Sequence, residues 1–322
     1  MKAIRVNAYG GPEALSFEDV PDPVPAAGQA LVRVEAAGVN FIDVYQRMGI
    51  YKNPVPFTLG QEGAGTVEAV ADGVTVVKPG DRVSWTSVMG SYAQRAVVAA
   101  DRLVPLPQSM TTRQGAAIML QGMTAHYLAK STYPLKPGDT CVVHAGAGGV
   151  GLLLTQIAKL CGAHVITTVS TPEKAALSKA AGADEVVLYT TEDFEAAAKK
   201  ATGGKGVQVV YDSVGLTTYM KSFGSLAPRG LLALFGQSSG VVPPIDPAIL
   251  AGKGSLFLTR PTLVHHIASN EELRQRAKDL FDWVGSGKLK LRIEHDYPLK
   301  DTAEAHKALE GRKTTGKVLL IP

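Results

Sequence analysis

The chain has 322 residues, of which 45% are hydrophobic and 19% charged, with a formal net charge of +4 at pH 7. That length allows two domains with separate cores, and the apolar content excludes a disordered chain. Basic residues are interspersed with acidic ones, which suits a small anionic ligand and disfavours nucleic acid. No stretch approaches the ~20 apolar residues that span a bilayer, and MKAIRVNAYGG at the start has no apolar leader core, so a cytoplasmic location is expected.

In chain order, residues 1 to about 120 are rich in Gly and Pro, with short β-branched runs at 30–36, 65–71, 81–85 and 92–99. These predict an irregular, largely antiparallel β domain. Helical spacing follows over 111–130, then a turn at 135–139. From there strands at 140–144, 164–170, 185–189, 207–212 and 231–236 alternate with helices starting at Val150, Pro172, Glu192 and Thr217. Alternation of this kind predicts a parallel sheet with helices on both faces. A further β run at 254–259 suits the sheet's edge. The remainder predicts a helix over 271–285, a strand near Ile293, a helix from Asp301 and a strand at 316–321, and is expected to rejoin the first domain. The expected fold class is α/β, a doubly wound parallel sheet domain plus a discontinuous, mainly β domain. The expected boundaries are 1–122, 123–262 and 263–322.

Residues 144–151 read HAGAGGVG, so Gly146, Gly148 and Gly151 make a dinucleotide-binding fingerprint between a strand and a helix. Gly146 is expected in the tight turn, Gly148 where the backbone meets a pyrophosphate, and Gly151 where the helix packs on the strand. The next strand ends in STPEK. An NAD-preferring site usually has an acid there, which would repel a 2′-phosphate. Here Ser170 takes that place, and Lys174 falls in the first turn of a helix opened by Thr171 and Pro172. A cation is disfavoured at a helix N-terminus unless a phosphate faces it, so this pair points to NADP(H). Glu173 complicates that preference if it turns toward the ribose.

The two cysteines, Cys141 and Cys161, lie in apolar segments without CxxC spacing, and read as buried hydrophobes. His265 and His266 are adjacent and point different ways on a regular element, with no third ligand in view. No metal site is expected.

The stretches GVNFIDVYQRMGIY (38–51), LGQEGAG (59–65), HAGAGGVG, STPEKAALSKAAGADEVVLY (170–189), YDSVG (211–215) and GSLFLTRP (254–261) together resemble the zinc-independent NADPH:quinone oxidoreductases of the medium-chain dehydrogenase/reductase superfamily. The resemblance covers essentially the whole chain. It implies a GroES-like catalytic domain, a Rossmann domain, and homodimers or tetramers formed by joining Rossmann sheets, with the run 254–259 as the candidate edge. Where zinc-bearing relatives have a cysteine and a histidine, this sequence has Asn40 and Gln61. The resemblance also implies that Ser170, Lys174, Tyr189 and Arg312 form the adenosine-phosphate pocket. Thr124, Ser213, Phe235, Gln237, Phe257 and Leu258 would line the rest of the cofactor, with Phe41 and with Gly149 and Val150 of the loop.

Hydride transfer is the cofactor's chemistry, and without a Lewis acid the acceptor's oxygen needs hydrogen-bond donors. Asn40 and Tyr45 are the chosen donors, because the resemblance places their loop at the active site. Tyr51 joins them in the catalytic set, and Tyr51 and Tyr127 supply aromatic walls. Arg260 is read either at the mouth of the substrate site or at an interface, and Glu62 as a structural hydrogen-bonding group. The leading reading is NADPH-dependent, metal-independent reduction of quinones. An enoyl or alkenal reductase is the alternative, and a non-catalytic NADPH-binding structural or RNA-binding protein a third.

Overall fold

The computed structural model describes residues 1–322. They divide into two compact units, Thr124–His265 and, from the flanking segments, Met1–Met123 with His266–Pro322.

In Thr124–His265 the strands are parallel because a helix or long crossover separates each from the next. Their spatial order is Glu185–Leu188, His164–Val169, Thr140–Val143, Val207–Asp212, Leu226–Leu234, Phe257–Thr259. Winding reverses between Thr140–Val143 and Val207–Asp212. The loops leaving the carboxyl ends of those two strands therefore flank a crevice, the usual ligand position in a doubly wound sheet. Val142, Ile166, Val210, Phe223 and Leu232 are at most 1% exposed and form part of the core.

The other unit holds a seven-stranded sheet in which Gln29–Val39 is central, pairing with Glu62–Val70, Arg95–Ala99 and Lys317–Ile321. Pairing is antiparallel throughout except between Ile293–Pro298 and Lys317–Ile321. A smaller sheet joins Leu15–Asp19, Lys2–Val6 and Phe57–Thr58. Trp85, Tyr92, Val32, Val98 and Leu320 are fully buried in its core.

Some elements differ from the sequence expectation, for local reasons. The strand expected over 231–236 begins at Leu226, and a register shift with Arg229 at φ 63° breaks the alternation that would have marked its first half. The strand expected from position 92 starts at Arg95, because Tyr92 turns into the core, where its hydroxyl donates to Asp43. The segment Phe41–Arg47, read as loop, is a helix. Asp43 accepts the Asn40 N–H at 2.8 Å, which satisfies a donor at the helix entry as in a capping box.

Candidate functional site

The glycine loop joins strand Thr140–Val143 to helix Gly149–Leu160. Gly146 lies inside the tight turn that the Gly148 N–H closes on Ala145 O at 2.8 Å, as expected, while the left-handed residue is Ala145 at φ 52°. Gly146 is also needed for space: a Cβ there would stand 2.6 Å from Thr167 Cβ and 2.9 Å from Ser178 Oγ. At Gly151 a Cβ would lie 2.2 Å from the Ala145 carbonyl oxygen, so the first helical turn packs directly on the loop. Gly148, at the N-cap, offers no side-chain cap to the helix. The amides of Gly149, Val150 and Gly151 thus form an uncapped positive helix end, suited to a phosphate.

Helix Pro172–Ala180 starts with Pro172 behind Thr171, whose hydroxyl oxygen accepts the Lys174 N–H at 3.3 Å. Ser170 lies just beyond strand His164–Val169 and Tyr189 just beyond Glu185–Leu188. The Tyr189 N–H donates to Val169 O at 3.1 Å, and the Thr190 hydroxyl to Ser170 O at 3.4 Å, which holds these strand ends together. A hydrogen bond from the Thr171 hydroxyl keeps the Glu173 carboxyl below its usual range and ties that acid to the helix start.

Across the crevice, Asp212 is fully buried and folds the next turn around itself. It accepts the N–H groups of Val214 at 2.8 Å and Gly215 at 3.0 Å, and the hydroxyls of Thr218 at 2.7 Å and Ser222 at 2.8 Å. Because Ser222 gives its one proton to Asp212, it must accept from His144 Nε2 at 3.0 Å, and Thr168 must then donate to His144 Nδ1 at 2.9 Å. Burial lowers the His144 pKa, which agrees with this neutral tautomer. Three strand ends are thereby tied beneath the crevice. The Phe235 N–H donates to Asp212 O at 2.9 Å and the Ser238 N–H to Ser213 O at 3.2 Å, which sets Ser213, Phe235 and Gln237 side by side.

Leu258 and Gln237 share a cavity of about 310 Å³ with Leu234, Ile245 and Arg260. Phe257, 59% exposed, points to the opposite face of the strand from Leu258. Arg260 donates to the carbonyls of Leu234 at 2.8 Å and Gly236 at 2.9 Å and to Gln237 Oε1 at 3.3 Å. It secures the carboxyl end of a strand. Thr124 is 7% exposed, and Tyr127 only 2%, which leaves the Tyr127 ring no face for a substrate and corrects its reading as an aromatic wall.

In the other unit, helix Phe41–Arg47 carries Tyr45, whose ring meets Tyr51 edge-on at 5.5 Å and Phe41 at 6.2 Å. Tyr45 is 8% exposed and Tyr51 40%. The Ile50 and Tyr51 N–H groups both donate to Tyr45 O, at 2.9 and 3.2 Å, which folds this loop back onto the helix. Tyr9 pins it further, its hydroxyl bonding both the carbonyl and the N–H of Asn53. Asn40 is buried, and its carboxamide is committed: Nδ2 donates to Glu62 Oε2 at 2.9 Å and to Gly38 O at 3.1 Å, while Oδ1 accepts from Lys317 at 2.9 Å. A direct donor role toward an acceptor is therefore replaced by an internal one. Arg312, exposed at φ 56°, follows helix Thr302–Glu310.

Asp43, beside this network, has its pKa raised to about 7 by burial, against the opposing hydrogen bond from Tyr92, and its Oδ1 has no partner. Neither Asp43 nor Lys317 stood out in the sequence. An N-x-x-D capping signal marks Asp43, but Lys317 reads as an ordinary charge flanking a β run.

The alcohol dehydrogenase GroES-like domain family matches residues 26–108, and the zinc-binding dehydrogenase family matches residues 181–320. The quinone oxidoreductase of Pseudomonas aeruginosa is 44% identical, over 100% of this chain and 99% of its own. The structure of Escherichia coli quinone oxidoreductase complexed with NADPH matches with a TM-score of 0.98 at 43% identity, covering 100% of both chains. A mycobacterial protein complexed with NADPH matches with a TM-score of 0.98 at 50% identity, again over 100% of both chains.

Proposed function

The chain belongs to the zinc-independent quinone oxidoreductases of the medium-chain dehydrogenase/reductase superfamily, and from that membership we propose that it reduces quinones with NADPH. The observation that carries the cofactor assignment is the uncapped glycine loop at the sheet's crevice, with Ser170 and Lys174 in place of an acid at the next strand end. Gly148, Gly149, Val150 and Gly151 would hold the pyrophosphate, and Ser170, Lys174 and Tyr189 the 2′-phosphate. Ser213, Phe235, Gln237, Leu258 and Thr124 would line the remainder. The bound cofactor supplies the hydride.

The protein's own task is to hold a planar acceptor and supply hydrogen bonds where negative charge appears on its oxygen. Tyr45 is the donor we assign, with Tyr51 and Phe41 as the aromatic surface around it. Asn40 fixes the start of their helix. The edge strand Phe257–Thr259, with Phe257 exposed, supports a homodimer through that edge. Two unbridged cysteines, one of them buried, support a cytoplasmic enzyme.

The test is oxidation of NADPH, with NADH in parallel, using 1,4-benzoquinone and an open-chain enone as rival acceptors. NADPH-selective turnover of the quinone is expected. Preference for the enone would replace quinone reduction with alkenal reduction, and cofactor binding without turnover would remove the enzymatic assignment.

A further inference from the structure

We infer that Lys317 and Glu62 are a positioning pair for the acceptor site: they set the orientation of Asn40 and, through it, the helix that carries Tyr45. The inference rests on the proposal above that this helix serves the acceptor. Lys317 is 2% exposed and Glu62 fully buried. The ammonium faces three acceptors, Glu62 Oε2 at 2.5 Å, Asn40 Oδ1 at 2.9 Å and Val39 O at 3.4 Å. Glu62 Oε2 also receives Asn40 Nδ2, and its Oε1 receives the Leu120 N–H at 2.7 Å.

This arrangement admits one orientation of the Asn40 carboxamide. Flipping it would turn Nδ2 toward the ammonium and Oδ1 toward the carboxylate, replacing two attractions with two repulsions. A buried ion pair is weak evidence for stability, since well-packed apolar residues often serve a core as well or better. What this pair adds is direction. Asn40 in turn donates its N–H to Asp43 at the helix entry, and Tyr45 follows within the same short helix Phe41–Arg47.

The experiment uses the full chain with Lys317→Met and Glu62→Gln combined, which removes both charges while keeping similar shapes, and Asn40→Ala alone and on top of that pair. Melting temperature, NADPH affinity and the kcat with 1,4-benzoquinone are measured for each. The paired variant is expected to fold and to bind NADPH as the parent does, while kcat falls about tenfold or more. Adding Asn40→Ala should then change kcat by less than about twofold, because residues acting as one unit are not additive.

Parental kcat in the paired variant, or a lower melting temperature with unaltered kcat per folded enzyme, would leave only a structural pair and overturn the inference. Effects of the pair and of Asn40→Ala that multiply would overturn it too. If Asn40→Ala alone is silent, the acceptor-site assignment of this helix falls as well. If it slows turnover and the paired variant does not, only the positioning role fails.

Discussion

Replacing Gly38 with alanine should destabilise the discontinuous unit sharply, although the change adds one methyl group to an extended strand. The new Cβ would stand 2.3 Å from Glu62 Oε2, 2.6 Å from Lys317 Nζ and 2.6 Å from the carbonyl oxygen of Ala116. The first two atoms are ends of long side chains and can withdraw, but only by separating a pair now 2.5 Å apart. The third belongs to the backbone of helix Thr112–Tyr127 and cannot yield locally. Overpacking of this kind costs about 1–3 kcal/mol. Breaking a buried pair by removing one partner costs about 3–5 kcal/mol, and partial separation a share of that. Alanine recovers about 0.5–1 kcal/mol of strand propensity relative to glycine. A net loss of about 4 kcal/mol follows, and for a unit of this size that lowers Tm by about 8–16 °C. Thermal unfolding at pH 7.5 followed by circular dichroism measures it. The same substitution in a Lys317→Ala, Glu62→Ala background should cost less, only the overpacking of about 1–3 kcal/mol against the Ala116 carbonyl, because no ion pair is left to separate. A Gly38→Ala protein melting with the parent, or an equal penalty in both backgrounds, would refute the reasoning.

Lys174→Ala should raise the NADPH Michaelis constant about 10–150-fold, the equivalent of a charge-assisted contact worth about 1.5–3 kcal/mol, and leave that for NADH nearly unaltered; equal changes for both cofactors would remove the phosphate clamp. Asp43 holds its proton to about pH 7 in the folded state against 3.8 when unfolded, so its contribution to stability is fully present below that lower value and is lost as pH rises to about 7. His306, pushed down to about 3 by burial and by Arg47, acts oppositely, losing stability as pH falls from 6.5 toward 3. Asp43→Asn should therefore gain Tm relative to the parent between pH 4.5 and 7.5, and a pH-independent difference between the two proteins would contradict the assignment. The homodimer proposed above should dissociate in sedimentation at micromolar concentration on Phe257→Lys at the sheet edge; an unaltered sedimentation coefficient would refute that interface.

What the sequence makes legible is whatever depends on neighbours in the chain. Alternating strands and helices over Thr140–Thr259 follow from periodicity, and the start of helix Pro172–Ala180 from Thr171 and Pro172. Contacts across long separations leave no such trace. Gly146 looks like a turn glycine and is one, but its further need for room against Thr167 and Ser178, on other elements, shows only in the fold. His144 looks like a charge beside a glycine loop, and only the fold brings Ser222 and Asp212 beneath it. Asn40 looks like an exposed donor until Lys317, 277 residues away, claims its oxygen.

That separation bears on how the protein is made. Unit Thr124–His265 has its strands and crossovers contiguous in the chain, whereas the sheet holding Asn40 needs Lys317–Ile321, synthesised after all of it. Joining Asn40 to Lys317 through flexible chain costs about 2 kcal/mol more in loop entropy than joining Asn40 to Glu62, 22 residues away. That extra cost shrinks once the intervening unit has folded and its residues no longer behave as free chain. This predicts that folding runs from the inserted unit outward, with the nucleotide loop formed before Asn40 is held in place. In refolding, protection of the glycine loop should appear before the Asn40 network closes and before turnover returns.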